Sequence, residues 1–139
     1  CVPAACLKIV TATLSPDKNA ALDTIRQFRD QVLMKSQQGR TYIKSFYTHA
    51  LAVTVLLAQH RELRGEFALL AGELAPRLRN ITEGKSIVIN HVMKERMENL
   101  LKTMEQKGIG NHALVQMLRG LRQDLNNRAL LLQFGIAIR

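Results

Sequence analysis

Two thiols, four imidazoles and a short run of methionines are the groups in this 139-residue chain whose types could support chemistry. Cys1 opens the stretch CVPAAC and Cys6 closes it. A thiolate is a nucleophile, a metal ligand and half of a disulfide, so four readings of the pair stand side by side. They are packing without a further role, ligation of a metal by two thiolates, a short-loop disulfide, and processing or covalent attachment. A loop so small adds limited stability when closed. His49, His60, His91 and His112 fall on different predicted segments. His91 and Glu95, at i and i+4, have a spacing that could hold a metal on one helix face. A di-metal bundle would need further Glu-x-x-His pairs, which the chain lacks. Met93, Met97 and Met104 recur at helical spacing, where methionine most often fills a core. No Cys-x-x-Cys-His motif occurs, and no glycine-rich phosphate loop follows a strand. The sequence nominates no catalytic residue, no metal and no cofactor, and it reads as that of a non-enzyme.

Charge offers the next candidates. Twenty Lys and Arg against eleven Asp and Glu leave a net charge of +9, which makes an anionic partner worth weighing. Two stretches are lopsided, residues 36–60 with two basic side chains and none acidic, and residues 108–139 with four and one. Arg119, Arg122 and Arg128 are the candidate anion-binding residues, placed on one side of a predicted C-terminal helix. The chain has no run of Lys or Arg, so a solvated basic surface is the plainer reading.

The elements that must position these groups are helical. Hydrophobic residues make up 47% of the chain and aromatics only 4%, so the core is built from Leu, Ile, Val, Ala and Met. That composition suits helix-on-helix packing. Ser15, Pro16 and Asp17 suit a helix start, followed by Leu22, Ile25, Phe28 and Val32 at helical spacing over residues 16 to about 36. Gly39 in QQGR is expected to break it. A second helix runs from about Thr41 to His60 with Ile43, Phe46, Tyr47, Ala50 and Leu57 inward, and is expected to be the most buried. Leu63, Phe67, Leu70 and Leu74 define a third, which Pro76 should end or kink. NITEGKS is the clearest hinge. Beyond it Ile89, Met93, Met97, Leu100 and Met104 form a narrow stripe, KGIGN closes that helix, and Asn111 caps the next, carrying Leu114, Leu118, Leu121 and Leu125. The tail LQFGIAIR alternates and reads as a short strand or a frayed end. The expectation is an all-α fold of about five amphipathic helices in a bundle with an extended N-terminal segment. Residues 1–80 would form one helical unit and residues 81–139 a helical hairpin packed with it as one domain.

One stretch carries a family resemblance. CLKIVTATLS keeps Cys6, Ala12 and Ser15 of a box close to CFIATAAYGS. IRQFRDQVL matches an LRxFRD-type helix through Ile25, Arg26, Phe28, Arg29, Asp30 and Leu33. GRTYIKSFY follows as a glycine break and an aromatic second helix through Gly39, Phe46 and Tyr47. Residues 6–64 thereby resemble the CFI-box C-terminal domain, found at the ends of otherwise unrelated bacterial proteins, many of them exported. The sequence departs from the box at Leu7, which stands for Phe, and at Leu14, which stands for Gly; the box Tyr is missing.

The resemblance implies a module for anchoring, sorting or assembly of an exported bacterial protein, placed outside the cytoplasm, with a protein partner or a second copy of itself. Arg26, Arg29 and Asp30 become the residues expected to organise the motif, and Cys1 and Cys6 the points of processing, disulfide formation or attachment. No stretch reaches the ~18 apolar residues of a membrane span, so membrane contact would come only through a lipid on Cys1. The alternative reading is a basic helical domain that binds nucleic acid.

Overall fold

The structure is a computed structural model that describes residues 18–139, with side chains from Asp23 onward. Cys1, Cys6, the segment 7–14 and the cap at residues 15–17 lie outside the described residues. The fold is all-α, as the periodicity predicts. By their contacts the residues divide into two compact units, 1–85 and 86–139. The division falls within NITEGKS, five residues beyond the predicted one.

The first unit holds three long helices, α1 (Lys18–Gln31), α2 (Gln37–Gln59) and α3 (Arg61–Thr82), with a short 3-10 turn over Leu33–Lys35. The break after α1 comes earlier than Gly39. Ser36 is extended and its hydroxyl accepts from the Gly39 amide at 2.9 Å, which makes Ser36 the N-cap of α2. Gly39 sits inside the first turn of α2 for a different reason. A Cβ there would fall on the carbonyl of Leu33, and backbone cannot move aside as a flexible side chain would. The chain can double back this tightly only because position 39 has no side chain.

Helix α1 packs along α3. Thr24, only 4% exposed, accepts from Arg79 Nη2 at 3.2 Å, so a buried hydroxyl of α1 is satisfied by a guanidinium of α3. Leu63, Leu70 and Ile81 are buried, and Phe67 and Leu74 are half-buried, on the face that the spacing predicts. Pro76 does not end α3, which runs on to Thr82. The helix stops at Gly84, whose φ of 82° is left-handed. The Gly84 amide donates to the Ile81 carbonyl and the Lys85 amide to that of Asn80, the bond pair of a Schellman cap.

The second unit runs β1 (Ile87–Ile89), α4 (His91–Lys107), α5 (His112–Asp124), α6 (Arg128–Gln133) and β2 (Ile136–Ile138). The two strands pair in parallel, Ile87 opposite Ile136 and Ile89 opposite Ile138. A parallel pair needs a long crossover, and the three helices are that crossover. Ile87, Ile89 and Ile138 are buried with Met93, Met104, Leu114, Leu118 and Phe134. Three asparagines start the three helices: Asn90, Asn111 and Asn127 each accept from the amide three residues on. Asn111 is the cap the sequence predicts. Ile89 belongs to β1 and not to the helical stripe, because Asn90 caps α4 immediately after it. The tail forms a strand, and the described residues contain six α-helices, α6 being the one beyond expectation.

Gly39→Ala is expected to destabilise the protein by about 1–3 kcal/mol in urea unfolding, the range for forcing extra volume into a packed site. Gly120 lies inside α5 with open space around it, so Gly120→Ala should stabilise by up to about 1 kcal/mol. The two substitutions thus move the midpoint in opposite directions.

Candidate functional site

Helix α2 is less buried than its composition suggests. Tyr47, Leu51 and Val55, spaced four apart, are 48%, 56% and 44% exposed. Ala58 continues the line. Phe46 beside it is also exposed and meets the Tyr47 ring edge-on, the planes at 87° and the centroids 6.2 Å apart. The buried positions of α2 are Gly39, Ala50, Leu56 and Leu57. Two residues expected inside, Phe46 and Tyr47, therefore face solvent. Val, Leu and Ala occur around most of this helix, so periodicity alone could not choose the inward face.

Two of the motif residues of α1, Arg29 and Asp30, meet at the head of that stripe. Arg29 Nε donates to Asp30 Oδ1 at 2.8 Å and Nη2 to Oδ2 at 3.4 Å. Its Nη1 donates to the Tyr47 hydroxyl at 3.2 Å, so Arg29 joins α1 to α2. Arg26 pairs with Asp23 at 4.0 Å and not with Asp30. Neither member of the Arg29–Asp30 pair is buried, at 36% and 59% exposed. The pair therefore acts as a surface brace that holds the phenol ring. The hydrogen bond from Arg29 lowers the pKa of Asp30 from its ordinary value, and the same bond raises that of Arg29.

In the second unit Arg119 and Arg122 turn onto one carboxylate. Glu105 of α4 is 8% exposed. Arg122 of α5 grips it with Nε at 2.8 Å from Oε2 and Nη2 at 3.2 Å from Oε1, and Arg119 Nε adds a third donor at 3.4 Å. Two of the three positions suggested for anion binding thus already hold an internal anion. Arg128 stands at the start of α6, a separate helix, so the three arginines do not share one helix side. A six-residue step would in any case turn about 240° around a helix. The clamp was not legible in the sequence, since its charges lie 14 and 17 residues apart. Nearby, Lys94 Nζ lies 3.2 Å from Glu98 Oε1 and donates to Asn126 Oδ1 at 2.7 Å. That Glu98 oxygen has the charge contact without an aligned hydrogen bond.

An open groove of about 610 Å³ lies against α3 and reaches buried Ala68. Its described lining comes from that helix alone, between Arg61 and Glu73. His91 and Glu95 are both exposed, and among the described residues no three of His, Cys, Asp and Glu converge as metal ligands would. The arrangement that remains is an apolar stripe with a braced phenol at one end. It can bury against a partner, and it presents no nucleophile and base in register.

Two measurements check this geometry. Asp30 should titrate below the ordinary carboxylate range in an NMR pH series, and Arg29→Met should return it there. Because its folded pKa is the lower one, whatever it adds to stability is present above the unfolded pKa and is lost as pH falls through the folded one. Arg122 supplies two of the three donors to buried Glu105 and Arg119 keeps the third, so Arg122→Met should cost about 1–3 kcal/mol in thermal unfolding. The double variant Glu105→Leu/Arg122→Met should recover most of that loss. Compared with family models, curated proteins and solved structures, the chain gives no match.

Proposed function

We propose that this chain is a non-enzymatic helical module that holds a protein partner through the outer face of α2. The observation that carries the reading is the contiguous stripe of Tyr47, Leu51 and Val55, each more than two-fifths exposed, with Phe46 beside it. Lone surface hydrophobics are ordinary; a line of them along two turns of one helix is the mark of a binding face. Aromatic residues at such a face supply large contact area at small entropic cost. The resemblance of residues 6–64 to the CFI-box domain supports the same reading, since its aromatic second helix corresponds to α2. It also suggests the setting, an exported bacterial protein that the module anchors or assembles outside the cytoplasm. None of the described helices is long and apolar enough to cross a membrane, so membrane attachment on this reading would rest on a lipid at Cys1.

A photo-reactive residue placed at Leu51 tests the proposal in cells that produce the protein. A discrete, reproducible protein adduct is expected from position 51 and not from exposed Ser86. Leu51→Asp should abolish the corresponding complex while shifting stability by less than about 0.5 kcal/mol, because the position is exposed. Position 51 yielding only uncross-linked chain would defeat the reading.

A further inference from the structure

We propose that the partner of α2 is an acidic amphipathic segment of another protein, which sets carboxylates against Arg40 and Lys44 and apolar side chains against Leu51 and Val55. The inference rests on the reading of that face above and adds the chemistry and direction of what it holds.

The apolar stripe is one half of a longer outward row. At about 100° per residue, Arg40, Lys44, Tyr47, Leu51 and Val55 fall within about 80° around the helix. All five are exposed, whereas Gly39, Ala50 and Leu57 share the buried side. The row changes character along its length, from two cations through the phenol to two aliphatic side chains. From Arg40 to Val55 it spans about 22 Å.

Nothing within α2 offsets those cations. Residues 36–60 contain no Asp or Glu. Arg40 places one guanidinium nitrogen 3.0 Å from the Met34 carbonyl, a neutral acceptor, so its charge stays unmatched. Asp30, the acid at the head of the stripe, is taken by Arg29. The positive end of the helix dipole lies at the same pole, and the first turn has no acidic residue.

This polarity selects the partner. Cations at one end and apolar side chains at the other favour a rod that lies along α2 in one direction, acids over its first turns and apolar residues over its last. A second copy of this chain would bring a net charge of +9 to a pole that is already cationic, which opposes association. A membrane surface suits a helix whose cations flank an apolar face along its length. On α2 the two are separated end to end.

The complex captured through position 51 supplies the material for the test. Carbodiimide joins an amine to a carboxylate in contact with it and leaves as its urea. It is expected to link Lys44 Nζ to an Asp or Glu of the captured protein, which peptide mass mapping should place in the same segment as the residue joined to position 51. Lys44→Arg should keep the complex and lose the link. Arg40→Glu/Lys44→Glu should lower the adduct yield at position 51 at least about tenfold, equivalent to ~1.4 kcal/mol. Helix content and melting should stay unchanged, because both residues are exposed. The proposal is overturned by an adduct at full yield in the double reversal, by a Lys44 that links to no carboxylate, or by a link to this chain's own sequence, Asp17 included. Binding of the purified chain to vesicles of phosphatidylserine and phosphatidylcholine that Leu51→Asp abolishes would overturn it in favour of a lipid surface. A wild type without the adduct defeats the reading of α2 itself, whereas a wild-type adduct indifferent to the reversal defeats only the polarity argued from Arg40 and Lys44.

Discussion

Gly39 stands where the carbonyl of Leu33 leaves no room for a side chain, and the path of the first unit follows from that contact. The turn reverses the chain within a few residues, and Ser36 restarts the helix by taking the Gly39 amide. The reversal brings Arg29 at the end of α1 within hydrogen-bonding distance of Tyr47, 18 residues later. A wider connection would separate them. Glycine at this position is costly in a helix by ordinary propensity, and the cost is offset by a tight reversal that sets Arg29 of α1 beside Tyr47 of α2.

The second unit solves a different problem. Its strands are three residues each, too short to be stable by themselves, and they gain stability from what lies between them. Ile87, Ile89 and Ile138 bury against the helices they flank. Glu105 and its two arginines tie α4 to α5 at a point where an unpaired charge would be expensive. The clamp also accounts for part of the basic excess of residues 108–139, since two of those cations neutralise an acid from the preceding helix.

Local signals were well written in the sequence. The Leu63–Leu74 periodicity, the Asn111 cap and the hinge at Gly84 each depend on neighbours within a turn or two. What was not legible depends on distance or on a choice among equals. The β1 and β2 partners are separated by the whole crossover, so Ile89 read as the start of a helical stripe. Gly39 read as a breaker, because the contact that demands it involves a carbonyl six positions earlier. On α2 apolar residues are too many to reveal which face turns inward, and that ambiguity hid the candidate site. The arginines read as a surface patch because their acid lay on another helix. Cys1 and Cys6, the most reactive groups in the chain, fall outside the described residues and contribute nothing to this comparison.

The parallel closure of the second unit also orders events during synthesis. A chain emerges from its N-terminus, and units generally fold as they become complete. The first unit is delimited at Lys85, whereas β1 has no mate until Ile136–Ile138 have appeared. Through that interval α4 and α5 can pair while the edge of β1 stays open. The last residues of the unit are therefore a latch: stalled or truncated before Phe134, the chain would leave β1 without its partner strand and the second unit unsealed.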